Sequence, residues 1–203
     1  MKKKSYHHGE LREALLVEAE KMLVEVGPAN LNLRELAKRT GVSSAAPYRH
    51  FKSKQELVLG LCEKGFRLLT KVSLDAVKGY PLDPEAQLKE AGAGYVTLAI
   101  RHGEILLLMF GGQGQQEEIP EALATASREA FEALTSIIHH GQLKGIFKPH
   151  LETEELTISC WSMIHGFATL CRTKGFQQRL PKDEDKIRYW HSLSSQMLNG
   201  VLC

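Results

Sequence analysis

Apolar residues recur every three or four positions along almost the whole chain, and runs that alternate apolar with polar residues are nearly absent. That period gathers the apolar side chains on one face of a helix and gives a strand no half-buried face to offer. Glycine and proline punctuate the pattern at Gly27-Pro28, Thr40-Gly41 and Gly79-Tyr80-Pro81. At such points a left-handed cap or a missing N–H stops a helix. The chain therefore reads as all-α, with about nine helices and no internal repeat.

The first helix carries Leu11, Leu15, Ala19, Met22 and Val26 on one stripe. Two short helices follow. Asn32 offers an N-cap with Glu35 at the third helical position, and Thr40-Gly41 closes that helix after about two turns. Ser43 or Ser44 caps the second, which runs to about Phe51. With Ser44 as the cap, Pro47 falls at the third helical position, whose N–H has no intrahelical partner to lose. Ser53-Lys54-Gln55-Glu56 is a capping box. It opens a long connector helix, residues 54–78, with Leu57, Leu61, Gly65, Leu68 and Val72 on one side. Five more helices are expected: Pro84 to His102, Glu104 to Phe110, about Pro120 to Leu143, Thr153 to Lys174, and Lys182 to Asn199. The Gly/Gln-rich Gly111–Glu118 reads as a loop. Gly92 and Gly94 each weaken their helix by ~1 kcal/mol relative to alanine. They mark either a deformable wall or tight helix packing.

A chain of 203 residues that is 43% hydrophobic can bury a sizeable core. Its formal net charge of +2 conceals an asymmetry. Residues 1–54 hold eleven Lys and Arg against six Glu, whereas residues 55–203 hold fifteen against eighteen acids. A basic end on an acidic body suits a polyanionic partner at that end. No segment approaches the ~18 uncharged apolar residues of a membrane helix. The opening MKKKSYHHGELREALL lacks the apolar run of a secretory signal. A cytoplasmic protein without a membrane partner is expected. Cys62, Cys160, Cys171 and Cys203 are scattered with no C-x-x-C pair, and read as free thiols, mostly in the core.

Residues 32–51 carry the functional signal. Ala37 lets a second helix pack closely, Gly41 takes the turn, and Val42 plugs a small core, as a helix-turn-helix requires. Segments of the form A-x-x-x-G-V also arise by chance. The stretch GVSSAAPYRHFKSKQEL (Gly41–Leu57) is more specific: it resembles the signature of the tetracycline-repressor (TetR) family of transcription regulators. The opening SYHHGELREALL is similar to members of that family, and Trp161–Gly166 resembles a W-x-x-x-H-G element of one branch. The resemblance implies a three-helix DNA-binding domain over 1–54 and a helical effector-binding and dimerisation domain over 55–203. It further implies a homodimeric repressor, without cofactor, that a small molecule releases from a palindromic operator in double-stranded DNA.

Tyr48 presents a hydroxyl to a phosphate, or is simply a core tyrosine. Arg49 reaches a base edge or a phosphate, where a bidentate contact to guanine contributes about 1–3 kcal/mol of discrimination. His50 resembles the family's phosphate-contacting histidine; otherwise it is a satisfied polar residue at a helix end. Lys54 and Arg34 sit in first helical turns, where a cation opposes the macrodipole and faces a phosphate more favourably. Ser43, Ser44 and Ala45 are short enough for close approach to the groove. Leu36, Val42 and Phe51 are core. Lys2, Lys3 and Lys4 form either an arm along the DNA or a disordered tail.

In the C-terminal domain the resemblance implies that the last two long helices pair with their symmetry mates as a four-helix bundle. Trp161, His165, Gly166 and Phe167 are the interface candidates; His165 is also readable as a ligand contact or a core residue, with packing favoured. A pocket is expected between the helices spanning 84–143, lined by Tyr95, His102, Met109, Phe110, Phe131 and Leu134, each of which could instead be plain core. A ligand there would tilt the connector helix and change the separation of the two DNA-binding heads.

A helical enzyme is the rival class. The chain contains no H-E-x-x-H, P-loop, G-x-S-x-G or paired E-x-x-H, and the adjacent His139 and His140 point to different helix faces. No catalytic or metal-binding residue is assigned. A DNA-binding protein without an effector is the third reading, told apart by whether a ligand-sized pocket exists.

Overall fold

The computed structural model describes residues 8–111 and 119–201. Lys2–Lys4, residues 112–118 of the Gly/Gln-rich segment, and Cys203 lie outside the described residues. Among those described there are nine α-helices and no strand: α1 (His8–Val26), α2 (Leu33–Thr40), α3 (Lys54–Gly79), α4 (Pro84–Arg101), α5 (Gly103–Phe110), α6 (Glu121–Leu143), α7 (Thr153–Leu170), α8 (Lys174–Arg179) and α9 (Asp183–Val201). The expected all-α class is correct.

Two elements differ from expectation. The short helix after the turn is not an α-helix: residues 44–46 form a turn and Pro47–Arg49 a 3-10 helix. Pro47 has no N–H to give the Ser43 carbonyl four residues back. That carbonyl instead accepts from Ala46 at 2.9 Å, Arg49 bonds Ala46 at 3.2 Å, and the segment stays tightly wound. The helix expected to reach Lys174 ends at Leu170. Thr173 then caps the separate α8, its hydroxyl accepting the Phe176 N–H at 3.4 Å.

The chain divides into two compact units. The first comprises residues 1–65 and 104–123, so it holds residues 55–65 and α5 in addition to 1–54. Its core buries Leu15, Leu16, Ala19 and Leu23 of α1, Leu33, Leu36 and Ala37 of α2, Phe51, and Leu57 and Leu61 of α3. Val26, expected on the buried stripe, is 39% exposed because α1 stops beside it at Gly27, whose φ is +73°. α5 packs on α3 at Gly65, where a Cβ would come within 2.7 Å of Ile105 and closer still to Met109.

The second unit comprises residues 66–103 and 124–203. α4 lies along both α7 and α9. Trp190 of α9 is fully buried, donates its indole N–H to the Lys89 carbonyl at 2.9 Å, and covers Gly92, where any Cβ would strike the indole. Tight packing is therefore the reason for Gly92. In the same unit Leu88, Leu134, Ile137, Ile138, Phe147 and Leu156 close a continuous apolar core.

Candidate nucleic-acid interface and internal cavity

Local chemistry builds the turn in the first unit. The Asn32 side chain accepts the Arg34 N–H at 2.8 Å and the Glu35 N–H at 3.5 Å, which fixes the start of α2. At the other end Gly41 adopts φ +72°, and Val42 returns its N–H to the Ala37 carbonyl at 3.0 Å. That bond closes a Schellman-type cap, which satisfies carbonyls the helix end would otherwise leave open. Val42 is half-buried rather than a full plug, whereas Leu36 and Phe51 are buried as expected. The capping box forms with a shifted partner. Ser53 accepts the Glu56 N–H at 3.2 Å, but the Glu56 carboxylate reaches Lys52 N–H at 2.7 Å instead of the cap residue's own.

This frame presents Ser43, Ser44, Ala45, Tyr48 and Arg49 on the surface in one short segment, with Tyr48 45% exposed. Tyr48 is thus not a core tyrosine. His50 is half-buried behind them. Arg34 is exposed at the N-terminus of α2, and Lys54 at the N-terminus of α3. Lys54 also has a structural contact that its spacing does not reveal: its ammonium donates to the Ala29 carbonyl at 2.8 Å.

The cations of this unit fall into two groups. Arg12 pairs with Glu63, Lys21 with Glu18, Lys38 with Glu35, Arg39 with Glu25, and Lys64 with Glu20. Of these pairs, Arg12–Glu63, Arg39–Glu25 and Lys64–Glu20 join different helices, whereas Lys21–Glu18 and Lys38–Glu35 lie within one. Among the described residues, Arg34, Arg49, Lys52 and Lys54 have no carboxylate within ion-pair distance. They leave positive charge for a ligand.

The second unit contains a small internal cavity of about 20 Å³, room for roughly one water. Its walls are Leu69, Val72 and Ser73 of α3, Ala91 and Tyr95 of α4, Ala130 and Leu134 of α6, and Trp161 and Ile164 of α7. The Tyr95 hydroxyl lies 2.8 Å from Nδ1 of His165, and its ring meets Trp161 edge-on at 6.3 Å. Burial drives the Tyr95 phenol well above its ordinary range and holds the His165 imidazole below its ordinary value, so both are neutral near pH 7.

Of the six expected pocket residues, Tyr95 and Leu134 line this cavity, and Phe131 packs behind it against Trp161 at 5.9 Å. The other three lie elsewhere. His102 is the C-cap of α4, Met109 is buried over Gly65 in the first unit, and Phe110 is 37% exposed. Of the expected interface residues only Gly166 is exposed, with open space where a Cβ would stand. Trp161 and His165 turn toward Tyr95, and Phe167 is buried in a parallel stack on Tyr189 at 5.8 Å. Sequence reasoning misses the walls supplied by α3. Their signal is the apolar stripe ending at Val72, which spacing alone assigns only to packing. Among the described residues, no group of three or more His, Cys, Asp or Glu is placed to hold a metal ion.

A capped two-helix turn with unpaired cations at its surface, followed by a separate helical unit, defines the class: a helix-turn-helix DNA-binding protein. Residues 15–61 match the model of bacterial regulatory proteins of the tetR family, and residues 88–193 match that of the tetracyclin repressor-like C-terminal domain. A protein of unknown function from Rhodococcus sp. RHA1 superposes with a TM-score of 0.82 at 30% identity, over 98% of this chain and 100% of that one. PfmR, a TetR family regulator from Thermus thermophilus, gives 0.67 at 23% identity over 89% and 96%. The ketosteroid regulator KstR2 of Mycobacterium tuberculosis gives 0.66 at 19% over 99% and 98%. No curated protein matches the chain significantly. The chain belongs to the TetR family of transcription regulators. It is a DNA-binding regulator and not an enzyme, from a family whose members act as dimers and respond to small molecules.

Proposed function

We propose that this regulator is a cytoplasmic homodimeric repressor, which binds a near-palindromic operator and leaves it when a small molecule occupies the second unit. The division of the cations carries the DNA-binding assignment. Arg34, Arg49 and Lys54 stand without carboxylate partners beside the exposed Ser43-Ser44-Ala45 and Tyr48. Short side chains admit the segment to the major groove. Tyr48, His50, Arg34 and Lys54 contact phosphates, and Arg49 reaches a base edge or phosphate. Lys54 has donors to spare, so its bond to Ala29 orients the ammonium without consuming it. In a two-fold dimer the two segments occupy successive major grooves about 34–36 Å apart.

The exposed face of α7 and α9 supports the dimer assignment. Ile158, Met163 and Leu170 on α7 and Tyr189 on α9 are large, apolar and 37–51% exposed, and Gly166 among them permits close backbone approach. The effector assignment rests on the family; the cavity around Tyr95 holds only about one water as it stands, so a ligand there requires it to open.

Selection of bound sequences from random duplex DNA, followed by anisotropy titration of the enriched site, tests the reading. The enriched site is expected to be a palindrome. Tyr48→Ala and Arg49→Ala should each weaken binding at least tenfold, and Arg34→Ala should flatten the dependence of affinity on salt. Undiminished affinity in the first two variants, with the dimer intact, refutes the assignment.

A further inference from the structure

The cavity of the second unit restricts the chemistry of what it can hold. Leu69, Val72, Ala130, Leu134 and Ile164 supply apolar walls, and among the described residues no lining side chain carries a charge. A buried ion without a partner costs more than any aromatic contact here returns. The polar groups among the lining residues are Ser73, the Trp161 indole N–H and the Tyr95 hydroxyl, which pairs with His165 Nδ1, with Thr169 at 3.5 Å from the far nitrogen. A neutral imidazole has one protonated nitrogen and one bare nitrogen. If Nδ1 is bare, Tyr95 donates to it and offers lone pairs to the cavity. If Nδ1 carries the proton, the Tyr95 hydrogen is free for a ligand.

Val72 determines access. On its other side an open trough of about 420 Å³ runs between α3, α4 and α9. Among the described residues, Val72 alone lines both spaces. Its methyl lies directly on Gly94, where an added Cβ would collide with it, so Val72 forms part of the wall between cavity and trough. This also accounts for Gly94 in mid-helix. Asp75, ion-paired with Lys71, and Glu90 line the trough, and the Glu90 carboxylate disfavours the approach of anions.

We infer that the effector is a compact, uncharged, largely apolar molecule with one hydrogen-bonding group, which enters past Val72 and anchors that group on the Tyr95–His165 pair. This rests on the reading of the cavity as the effector site and specifies its ligand. Displacement of Val72 joins cavity to trough and supplies the volume that the closed cavity lacks.

A matched set of naphthalenes tests the inference by calorimetry on the full-length dimer: 1-naphthol, 1-methylnaphthalene, 1-naphthoate and 1-naphthylmethylammonium. The neutral pair should bind at least tenfold more tightly than either ion. The hydroxyl should add about three- to tenfold over the methyl compound, the range of one net hydrogen bond. Tyr95→Phe should abolish that advantage and leave 1-methylnaphthalene unchanged. Val72→Ala should accelerate association of 1-naphthol, and Ala130→Phe should exclude both neutral probes. Because Ala130→Phe could unfold the unit, Tyr95→Phe is the decisive variant.

Tighter binding of an ion, or a hydroxyl advantage that survives Tyr95→Phe, overturns the inference. Operator affinity measured beside calorimetry separates the two readings. If naphthol binds through Tyr95 and DNA affinity stays constant, the ligand class stands and the release mechanism fails. If only ions bind and they release DNA, the release mechanism stands and the ligand class fails.

Discussion

The Arg12 guanidinium stands 2.8 Å from the Glu63 carboxylate, joining α1 to α3 across 51 residues of sequence, and lies 5.5 Å over the Phe51 ring. Glu63 is 9% exposed, and Phe51 also covers Gly60 one turn earlier on α3. One cation therefore neutralises a nearly buried acid and caps the aromatic residue that ends the DNA-facing segment. Arg12→Met removes both interactions. With the Arg12 side chain 40% exposed, solvent screening reduces the loss below that of a fully buried pair. Urea unfolding should show a loss of about 1–2 kcal/mol, of which Glu63→Gln in the same chain recovers a part. A variant as stable as wild type would show that the pair contributes nothing.

Gly41 isolates the conformational demand of the turn. Its φ is +72°, and an added Cβ would meet nothing within 4 Å. Alanine there suffers only left-handed strain, about 1 kcal/mol, while asparagine tolerates that region better. Gly41→Ala should destabilise the first unit by about that amount and Gly41→Asn by roughly half of it. If the two substitutions cost the same, strain is not what glycine relieves at this position.

What is legible in the sequence follows from the range of the forces involved. The caps at Asn32 and Ser53 and the stop at Gly27 depend on neighbours within four residues, and their spacing alone places them. Spacing also locates Pro47 near a helix start, yet its missing N–H converts the segment to 3-10 winding, because the bond it cannot make is the one an α-helix needs there. The cavity is less legible. Helical period shows which residues turn inward but not which element they face, so it groups Met109 and Phe110 with Tyr95 although α5 packs on Gly65 in the other unit. Spacing likewise does not show that Trp161 and Phe167 make contacts within their own chain. An aromatic residue suits a dimer face or a core equally, and only the fold reveals the Tyr95 and Tyr189 contacts.

His165 makes the second unit sensitive to acid in a definable direction. Burial holds its imidazole below the ordinary value of 6.5. The unfolded chain accepts a proton at pH values where the folded chain still resists it, so folding is favoured above about 6.5. That contribution is lost as pH falls from there through the folded value. His165→Gln keeps a hydrogen-bonding partner for Tyr95 but cannot titrate. Urea midpoints at pH 7.5, 6.0 and 5.0 should fall less steeply in His165→Gln than in wild type. Parallel pH profiles would mean that other groups govern the acid loss.

The exposed face of α7 offers a test of the dimer that leaves the monomer fold intact. Gly166 has open space where a Cβ would stand, and Ile158, two turns earlier, is 50% exposed, so neither residue is required by its own chain's core. In a two-fold interface each residue near the axis meets the same patch of its mate, so one substitution introduces two steric or charged conflicts. Gly166→Trp or Ile158→Glu should therefore convert the dimer to monomer in sedimentation velocity, with helicity and thermal midpoint of the second unit nearly unchanged. Operator affinity should fall by two or more orders of magnitude, because the second half-site contact becomes a separate bimolecular event instead of an intramolecular one. A dimer that survives both substitutions locates the interface on another face. A monomer that still binds the full operator tightly would show that one head suffices.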